Sequence, residues 1–498
     1  MKTLSEQQST LGERTRRGAL GAALRSQRER AWARLAAIGP SRWLMIAVLA
    51  LDALLVLSAF VGSHYFGIDV ASTIAYPPVD GHCMVQSEGI GNHCFSDYTI
   101  FSKLALSLNP WANDQGIFVN YLAGGLLPHL IFGSLAHLVG SARIGLVAYM
   151  IVLTAAVVTP AIWATWRRSM ENKILTVSLF GILSVAGLAV IDRGNTVAFA
   201  IPAMLLFVVG LARDRPMMVA VSIVWATLVK PQYVLLVVAV LTLRKWKTAF
   251  VALAGVVVSN SLAYLLWPAS FPATLLQSLK NAATFGGTYF GSITEERAQT
   301  VSFARGVFGV EKGLAQLLGI QDQSWFVSVA AMGGLVIAIA LLVLLFFAGR
   351  AMPAALLGCL VLAISSMVLT TSYSYYSVFA LPIAAVVFRN PITAGDQSGR
   401  EFSGVLDRVS RSRGQSLAIA LIVVSLALTV SRVILPVVST LYDDQLQTST
   451  TLVPIVWAIA VVVTALAFSS NGQRNLVPRN GVQPDDTVTQ LGTGVAKD

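Results

Sequence analysis

Residues 222–243, SIVWATLVKPQYVLLVVAVLTL, hold one cation, Lys230, in an otherwise apolar run, with Pro231 directly after it. Basic clusters flank the run: Arg213 and Arg215 before it, Arg244, Lys245 and Lys247 after it. Lys and Arg concentrate in the cytoplasmic loops of membrane proteins, so two basic flanks on one side require the chain to enter and return. The stretch is therefore predicted to be a hairpin with Lys230 at its tip. Each arm has about 14 residues, roughly 21 Å at the helical rise, short of the roughly 30 Å of hydrocarbon. The tip then lies below the far surface, where backbone freed by a proline is tolerated only inside protein or beside a watery cavity. A buried ammonium there calls for an anion. The plainer alternative is one long kinked helix whose lysine snorkels or meets a stray carboxylate.

The rest of the composition agrees with a membrane setting. Of 498 residues, 55% are hydrophobic and 12% charged, and the mean hydropathy is +0.71. These values predict an all-α polytopic membrane protein and exclude an ordinary soluble core. The net charge of +11 sits mostly at the ends of apolar runs and in the first 42 residues, a topological signature and not a nucleic-acid surface.

Residues 1–42 carry nine Lys or Arg against three Glu. They read as a cytoplasmic arm lying on anionic lipid, longer than a signal-peptide n-region. The first span is read at 43–62, with Asp52 near its middle. A long external loop then contains Cys83, Cys94 and the stretch Ser96–Trp111, predicted to form a short amphipathic helix with Ser96 as N-cap, Asp97 in its first turn and Asn109-Pro110 closing it. The apolar run 117–139 contains Gly124, Gly125, Pro128 and His129, a poor recipe for a lipid-facing helix. If it spanned, every later basic loop would be inverted, so it is read as re-entrant or lying on the outer surface. Spans are then expected at 144–166, 174–191, 195–211, the arms 216–230 and 231–244, 248–267, 325–348, 353–371, 376–388, 416–437 and 452–469, about twelve crossings with both ends in the cytoplasm. The domains are accordingly 43–390, with external loops at 63–143 and 268–324, a cytoplasmic loop at 391–415, two terminal helices at 416–469 and a disordered tail at 470–498.

Cys83 and Cys94 face an oxidising exterior in this topology and could pair as a disulfide. Zinc held with His82 and His93, or free thiols, are the alternatives.

The predicted external face gathers Asp97, Asp192, Arg193, Asn195, Lys230, Gln232, Arg305 and the turn Ser372–Tyr376, which contains Tyr373, Tyr375 and Tyr376. Cations held partly out of water beside an acid suit one task, gripping a phosphate while a carboxylate activates a hydroxyl. Each residue also has a structural reading. Asp192–Arg193 fits a pair at a helix end, Arg305 a solvated loop charge, the tyrosines an interfacial aromatic belt, and Asp97 a favourable helix N-terminus.

Several short patterns in this order resemble glycosyltransferase family 87, enzymes of the GT-C fold. They are Asp97-Tyr98 through Asn109-Pro110-Trp111, Gly194-Asn195, Leu228–Pro231, Gln299–Arg305 and Ser372–Tyr376 before Pro382, together covering about residues 43–390. The family often has Gly-Gln-x-Asn where this chain has Asp192–Asn195, and Trp and His where it has Tyr373 and Tyr375-Tyr376. The resemblance implies a GT-C-like bundle and inverting transfer of mannose, or secondly arabinofuranose, from a polyprenyl-phosphate sugar to an envelope glycolipid or polysaccharide on the outer face of an actinobacterial plasma membrane. It implies Asp97 as general base, and Lys230, with Arg193 or Arg305, at the donor phosphate. Asn195, Gln232 and the three tyrosines are read as substrate-binding. No cofactor or metal is required by this chemistry, and membrane lipids and the two glycosyl substrates are the expected partners. A lipid or solute transporter with a buried lysine site is the competing class. Against it, the broken hairpin has no counterpart in the second half.

Overall fold

The computed structural model describes residues 39–66, 95–112, 119–268, 271–292, 300–318, 326–370, 372–392, 404–408, 412–431, 434–438 and 446–474. The chain is almost entirely helical, in the order α1 (Pro40–Phe66), α2 (Ser96–Ala105), α3 (Ala123–Val139), α4 (Ala142–Thr165), α5 (Met170–Val177), α6 (Val185–Arg193), α7 (Ile201–Ala212), α8 (Pro216–Val229), α9 (Val237–Thr242) and α10 (Trp246–Tyr264). The second half comprises α11 (Ala273–Ser292), α12 (Phe303–Leu318), α13 (Phe326–Ala348), α14 (Ala354–Met367), α15 (Ala380–Phe388), α16 (Arg413–Val430) and α17 (Val453–Arg474). Short 3-10 turns at Thr196–Ala200, Pro231–Leu236 and Ser374–Phe379 lead into α7, α9 and α15.

Helices that are apolar all round belong in a core. All nine residues of α15 are buried, as is α14 from Ala355 onwards, and both pack against α7. Helices α1, α10 and α13 turn apolar side chains outwards, including Leu54, Phe60, Phe250, Val257, Val336 and Phe347. Among the described residues four helices are long and apolar enough to cross a membrane, Pro40–Ser58, Ala142–Thr165, Trp246–Tyr264 and Val329–Ala351. A fifth span is possible if the bent pair Met170–Ile182 and Val185–Arg193 counts as one. The remaining apolar helices are shorter.

The ends of the bundle differ in chemistry. Asp214 forms an ion pair with Lys245, joining the start of α8 to the residues just past α9. The stretch around Lys230 is thus a hairpin with both basic flanks at one end, and not one long kinked helix. At the same end Arg213 Nε donates to the Pro391 carbonyl (2.6 Å), Arg389 Nη1 to that of Trp163 (2.6 Å) and Arg350 Nε to that of Thr242 (3.3 Å). The hairpin tip, the end of α6 and the start of α15 lie at the opposite end.

Helix α3 meets that tip closely. A Cβ at Gly124 would lie 2.6 Å from Leu228 Cδ2 and 2.8 Å from the Leu228 carbonyl oxygen. One at Gly133 would lie 3.0 Å from the Ser102 carbonyl oxygen on α2. The glycines that disqualify this run as a lipid-facing helix let it wedge between α2 and the hairpin. Gly124→Ala is expected to push α3 off the tip at a cost of about 1–3 kcal/mol, read as a lower melting temperature of the full chain in detergent.

Four sequence expectations are corrected, the first being the tail expected to be disordered from 470, whose start continues α17 to Arg474. The run 174–191 is not one smooth span: a π-helical turn at Ser178–Ile182 ends α5, Ser184 caps α6 by accepting from Gly187 N at 3.0 Å, and the two segments meet at a 53° bend. The expected span 416–437 stops at Val430, and Ile434–Val438 pairs instead as an antiparallel strand with Leu446–Thr448. Ser96 is the first helical residue of α2, and the cap position belongs to Phe95 in left-handed conformation (φ 44°). Asn109 does mark the turn after α2, its Oδ1 accepting from Trp111 N at 3.1 Å. Cys83 and Cys94 lie outside the described residues.

Candidate functional site

The site is assembled where α6 ends. Gly194 adopts φ 65°, a left-handed conformation that glycine takes without penalty. A Cβ there would lie 3.4 Å from that of Tyr98, so α2 rests directly on this turn. The turn presents Arg193 and Asn195 to Asp97. Arg193 Nε donates to Asp97 Oδ1 at 2.9 Å, and Asn195 Nδ2 donates to Asp97 Oδ2. Asn195 Oδ1 accepts from Val197 N at 2.9 Å, which fixes the orientation of the amide. Asn195 Nδ2 also reaches the Tyr121 hydroxyl at 3.1 Å, and the Tyr149 hydroxyl donates to the Gly194 carbonyl at 2.7 Å. Asp97 itself is buried. Its carboxylate is therefore oriented through both oxygens, which is more than a favourable charge at a helix N-terminus would need.

Asn195→Leu, of similar size, removes the donor to Asp97 and Tyr121 and the acceptor for Val197. With buried polar partners orphaned, a loss of about 1–3 kcal/mol is expected, checked by chemical or thermal melting against wild type.

Lys230 leaves α8 in extended conformation (φ −144°, ψ 116°), while its backbone N–H still bonds the Ala226 carbonyl at 2.9 Å. Its side chain is buried, which sets aside snorkelling. Nζ lies 3.9 Å from the centre of the Tyr121 ring and 5.5 Å from that of Tyr376. Among the described residues no carboxylate forms an ion pair with it. Aromatic faces attract a desolvated cation by about 2 kcal/mol but leave its charge uncancelled. Tyr121 thus joins the two candidate residues: its hydroxyl bonds Asn195, which holds Asp97, and its ring faces Lys230.

The tyrosine turn stands on the other side of Lys230. Tyr373 and Tyr375 stack at 5.5 Å with 24° between their planes, and Tyr375 meets Tyr376 at 5.0 Å. Tyr376 is buried and the other two half-buried, so the turn is not a plain interfacial belt. Thr300 pairs with Tyr373, Val301 N donates to the Ser372 carbonyl at 2.6 Å, and Ser302 Oγ donates to that of Thr370 at 2.9 Å. These bonds bring the start of α12, and with it Arg305, to the turn.

Arg305 is 8% exposed, so it is not a solvated loop charge. Its guanidinium lies 5.4 Å from the Phe308 ring, and Nε is buried without a hydrogen-bond partner. Burial pulls this group down to about 10, which leaves it a cation at neutral pH. Among the described residues no hydrogen bond or ion pair joins its side chain to Asp97 or Lys230. Gln232, two residues past Lys230 in the chain, is buried, and its Nε2 also lacks a partner among the described residues. The structure therefore gathers Asp97, Arg193 and Asn195 into one hydrogen-bonded unit, sets Lys230 and Tyr376 against it, and leaves Arg305 Nε and Gln232 Nε2 buried with no acceptor among the described residues.

Sequence reasoning missed Tyr121, Tyr149 and His129. The His129 ring is fully buried, stacked on Tyr149 (5.6 Å, 18°), tilted against Phe101 (5.6 Å) and edged by Tyr121 (6.1 Å), with neither nitrogen bonded among the described residues. Its signal was the spacing Gly125, His129, Gly133, which puts the imidazole between two glycines on one face of α3. Nothing comparable marks the two tyrosines, whose partners lie 74 and 45 residues away in sequence.

Comparison with known protein families, curated proteins and solved structures gives no match to this chain.

Proposed function

We propose that this chain is an integral-membrane glycosyltransferase that moves a sugar, mannose first and arabinofuranose second, from a polyprenyl-phosphate donor to a glycolipid or polysaccharide acceptor. In this reading the GT-C-like bundle crosses the plasma membrane about twelve times, the short apolar helices counting as spans within a protein-lined interior. The end bearing Arg213, Lys245, Arg350 and Arg389 lies in the cytoplasm by the excess of basic residues. Asp97 and Lys230 then work at the outer face.

The observation that carries the reading is the junction at Tyr121, where an oriented carboxylate and an ammonium that forms no ion pair among the described residues share one buried aromatic partner. The acceptor hydroxyl oxygen attacks the anomeric carbon from the side opposite the phosphate, giving inversion. Its proton passes to Asp97, the bond from the anomeric carbon to the phosphate oxygen breaks, and the electron pair leaves with polyprenyl phosphate. Lys230 stabilises the charge gathering on that phosphate, with Arg305 and Gln232 as further donors. Electrostatic stabilisation of this kind is usually the largest contribution to rate. Arg193, which the resemblance allowed at the phosphate, is assigned instead to orienting Asp97.

The test uses the purified full chain in proteoliposomes of bacterial envelope lipid, supplied with radiolabelled polyprenyl-phosphate mannose or arabinofuranose. Label covalently attached to a glycolipid supports the transferase. Donor that crosses the bilayer chemically unchanged, without product, supports a transporter instead.

A further inference from the structure

We propose that Tyr121 is a catalytic residue whose hydroxyl donates a hydrogen bond to the leaving phosphate beside Lys230. The inference rests on the transferase reading and adds to it a neutral donor on the departing group.

The direction of one hydrogen bond carries it. Asn195 Oδ1 accepts from Val197 N at 2.9 Å, which fixes where the amide nitrogen lies, and that nitrogen donates to Asp97 Oδ2 and meets the Tyr121 hydroxyl at 3.1 Å. A side-chain amide nitrogen only donates, so the tyrosine oxygen is the acceptor in this bond. A phenol also has one proton of its own to give. Among the described residues nothing receives it, for the Tyr121 hydroxyl forms no other hydrogen bond. Thr196 Oγ1, the hydroxyl next in the chain to Asn195, is itself buried without a partner. Tyr121 is 5% exposed, and a buried O–H rarely lacks an acceptor unless a ligand, water or ion supplies one.

The place of the hydroxyl identifies that acceptor. It shares Asn195 Nδ2 with Asp97, and Lys230 Nζ stands 3.9 Å from the centre of the ring that bears it. An ammonium over the ring and an O–H at its edge can both donate to oxygens of one phosphate. A sugar hydroxyl in the same place would satisfy the O–H and leave the ammonium uncancelled. As the bond from the anomeric carbon to the phosphate oxygen breaks, charge gathers on the phosphate and both hydrogen bonds strengthen, so they favour the transition state over the bound donor. The tyrosine keeps its proton throughout, and the acceptor proton goes to Asp97. The ring face toward Lys230 needs no hydroxyl, so phenylalanine separates the two roles of this side chain.

The test measures binding of free polyprenyl phosphate, binding of the polyprenyl-phosphate sugar and single-turnover transfer, in wild type and Tyr121→Phe as full chains in nanodiscs. Tyr121→Phe is expected to bind the free phosphate about tenfold more weakly, to bind the sugar-bearing donor within a few-fold of wild type, and to transfer about 10- to 100-fold more slowly. Thermal melting checks that it is folded. Replacing Tyr121 by 3-fluorotyrosine keeps the size of the side chain while making the hydroxyl a stronger donor and a weaker acceptor, and serves if Tyr121→Phe does not fold. That variant is expected to bind free phosphate at least as tightly as wild type, and weaker binding overturns the proposal. So does a wild type that does not bind polyprenyl phosphate. A folded Tyr121→Phe with wild-type affinity for the phosphate also overturns it: slower transfer alone would show that the hydroxyl only orients Asn195. Sugar transfer by wild type together with that result would keep the transferase and remove the contact. Weakened phosphate binding in Tyr121→Phe, with no transfer by wild type, would keep the contact and remove the transferase.

Discussion

Asp97→Asn is expected to reduce sugar transfer by about 10²–10⁴-fold, the range for loss of a positioned general base. The size follows from two effects at one position. An amide does not take the hydroxyl proton as the acceptor oxygen attacks. It also turns one of the two acceptor oxygens into a donor, which then faces either Arg193 Nε or Asn195 Nδ2, both of which donate to Asp97. The second effect destabilises the turn at Gly194, so melting is measured alongside rate. Asp97→Ala, which removes the clash along with the base, separates the two: transfer stays low while some stability returns.

Lys230→Met is expected to lower transfer by about 10²–10³-fold and to leave the fold as stable as wild type or more so. The two signs differ because a buried ammonium with no directly paired carboxylate among the described residues is costly to desolvate, and an apolar side chain of similar length fills the same space. Tyr121 and Tyr376 pack against methionine as readily as against the lysine stem. A charge kept at the expense of stability has a use outside the fold, and the donor phosphate is the anion proposed for it. Lys230→Arg is not expected to restore the rate: guanidinium is planar and wider, and the space between the two rings holds a compact ammonium. Transfer rate and melting temperature of the same preparations decide the matter.

What was legible in the sequence depended on charge and breaks more than on apolarity. The hairpin could be read because basic residues flank it and a proline follows its only cation. The helix carrying Asp97 could be read because polar and apolar residues alternate at helical spacing. The number of crossings was less legible. Helices such as α8 and α14, with 14 residues each, look like spans by composition, but their length is set by neighbours that bury them. The π-helical turn at Ser178–Ile182 reads SLFGI, and a single glycine with no proline or charge beside it is too weak a signal to announce the break. Ile434–Val438 reads ILPVV, which fits the end of a helix as well as a strand once the proline is overlooked. In the site, Asp97, Asn195 and Lys230 stood out as polar groups in apolar surroundings. Tyr121 and His129 did not, because their roles come from packing across distant helices that no local spacing encodes. Arg193 was legible as a cation but not as the partner of Asp97, since that contact depends on the left-handed turn at Gly194.

In the proposed reaction Asp97 performs the chemistry on a donor that Lys230 holds. This assignment is tested most directly by measuring, in one proteoliposome preparation each of wild type and Asp97→Asn, both the binding of labelled polyprenyl-phosphate sugar and its single-turnover transfer to mannosylated or arabinosylated acceptor. Donor affinity is expected to stay within a few-fold of wild type while transfer falls by at least about a hundredfold. Transfer by Asp97→Asn at the wild-type rate would contradict this assignment.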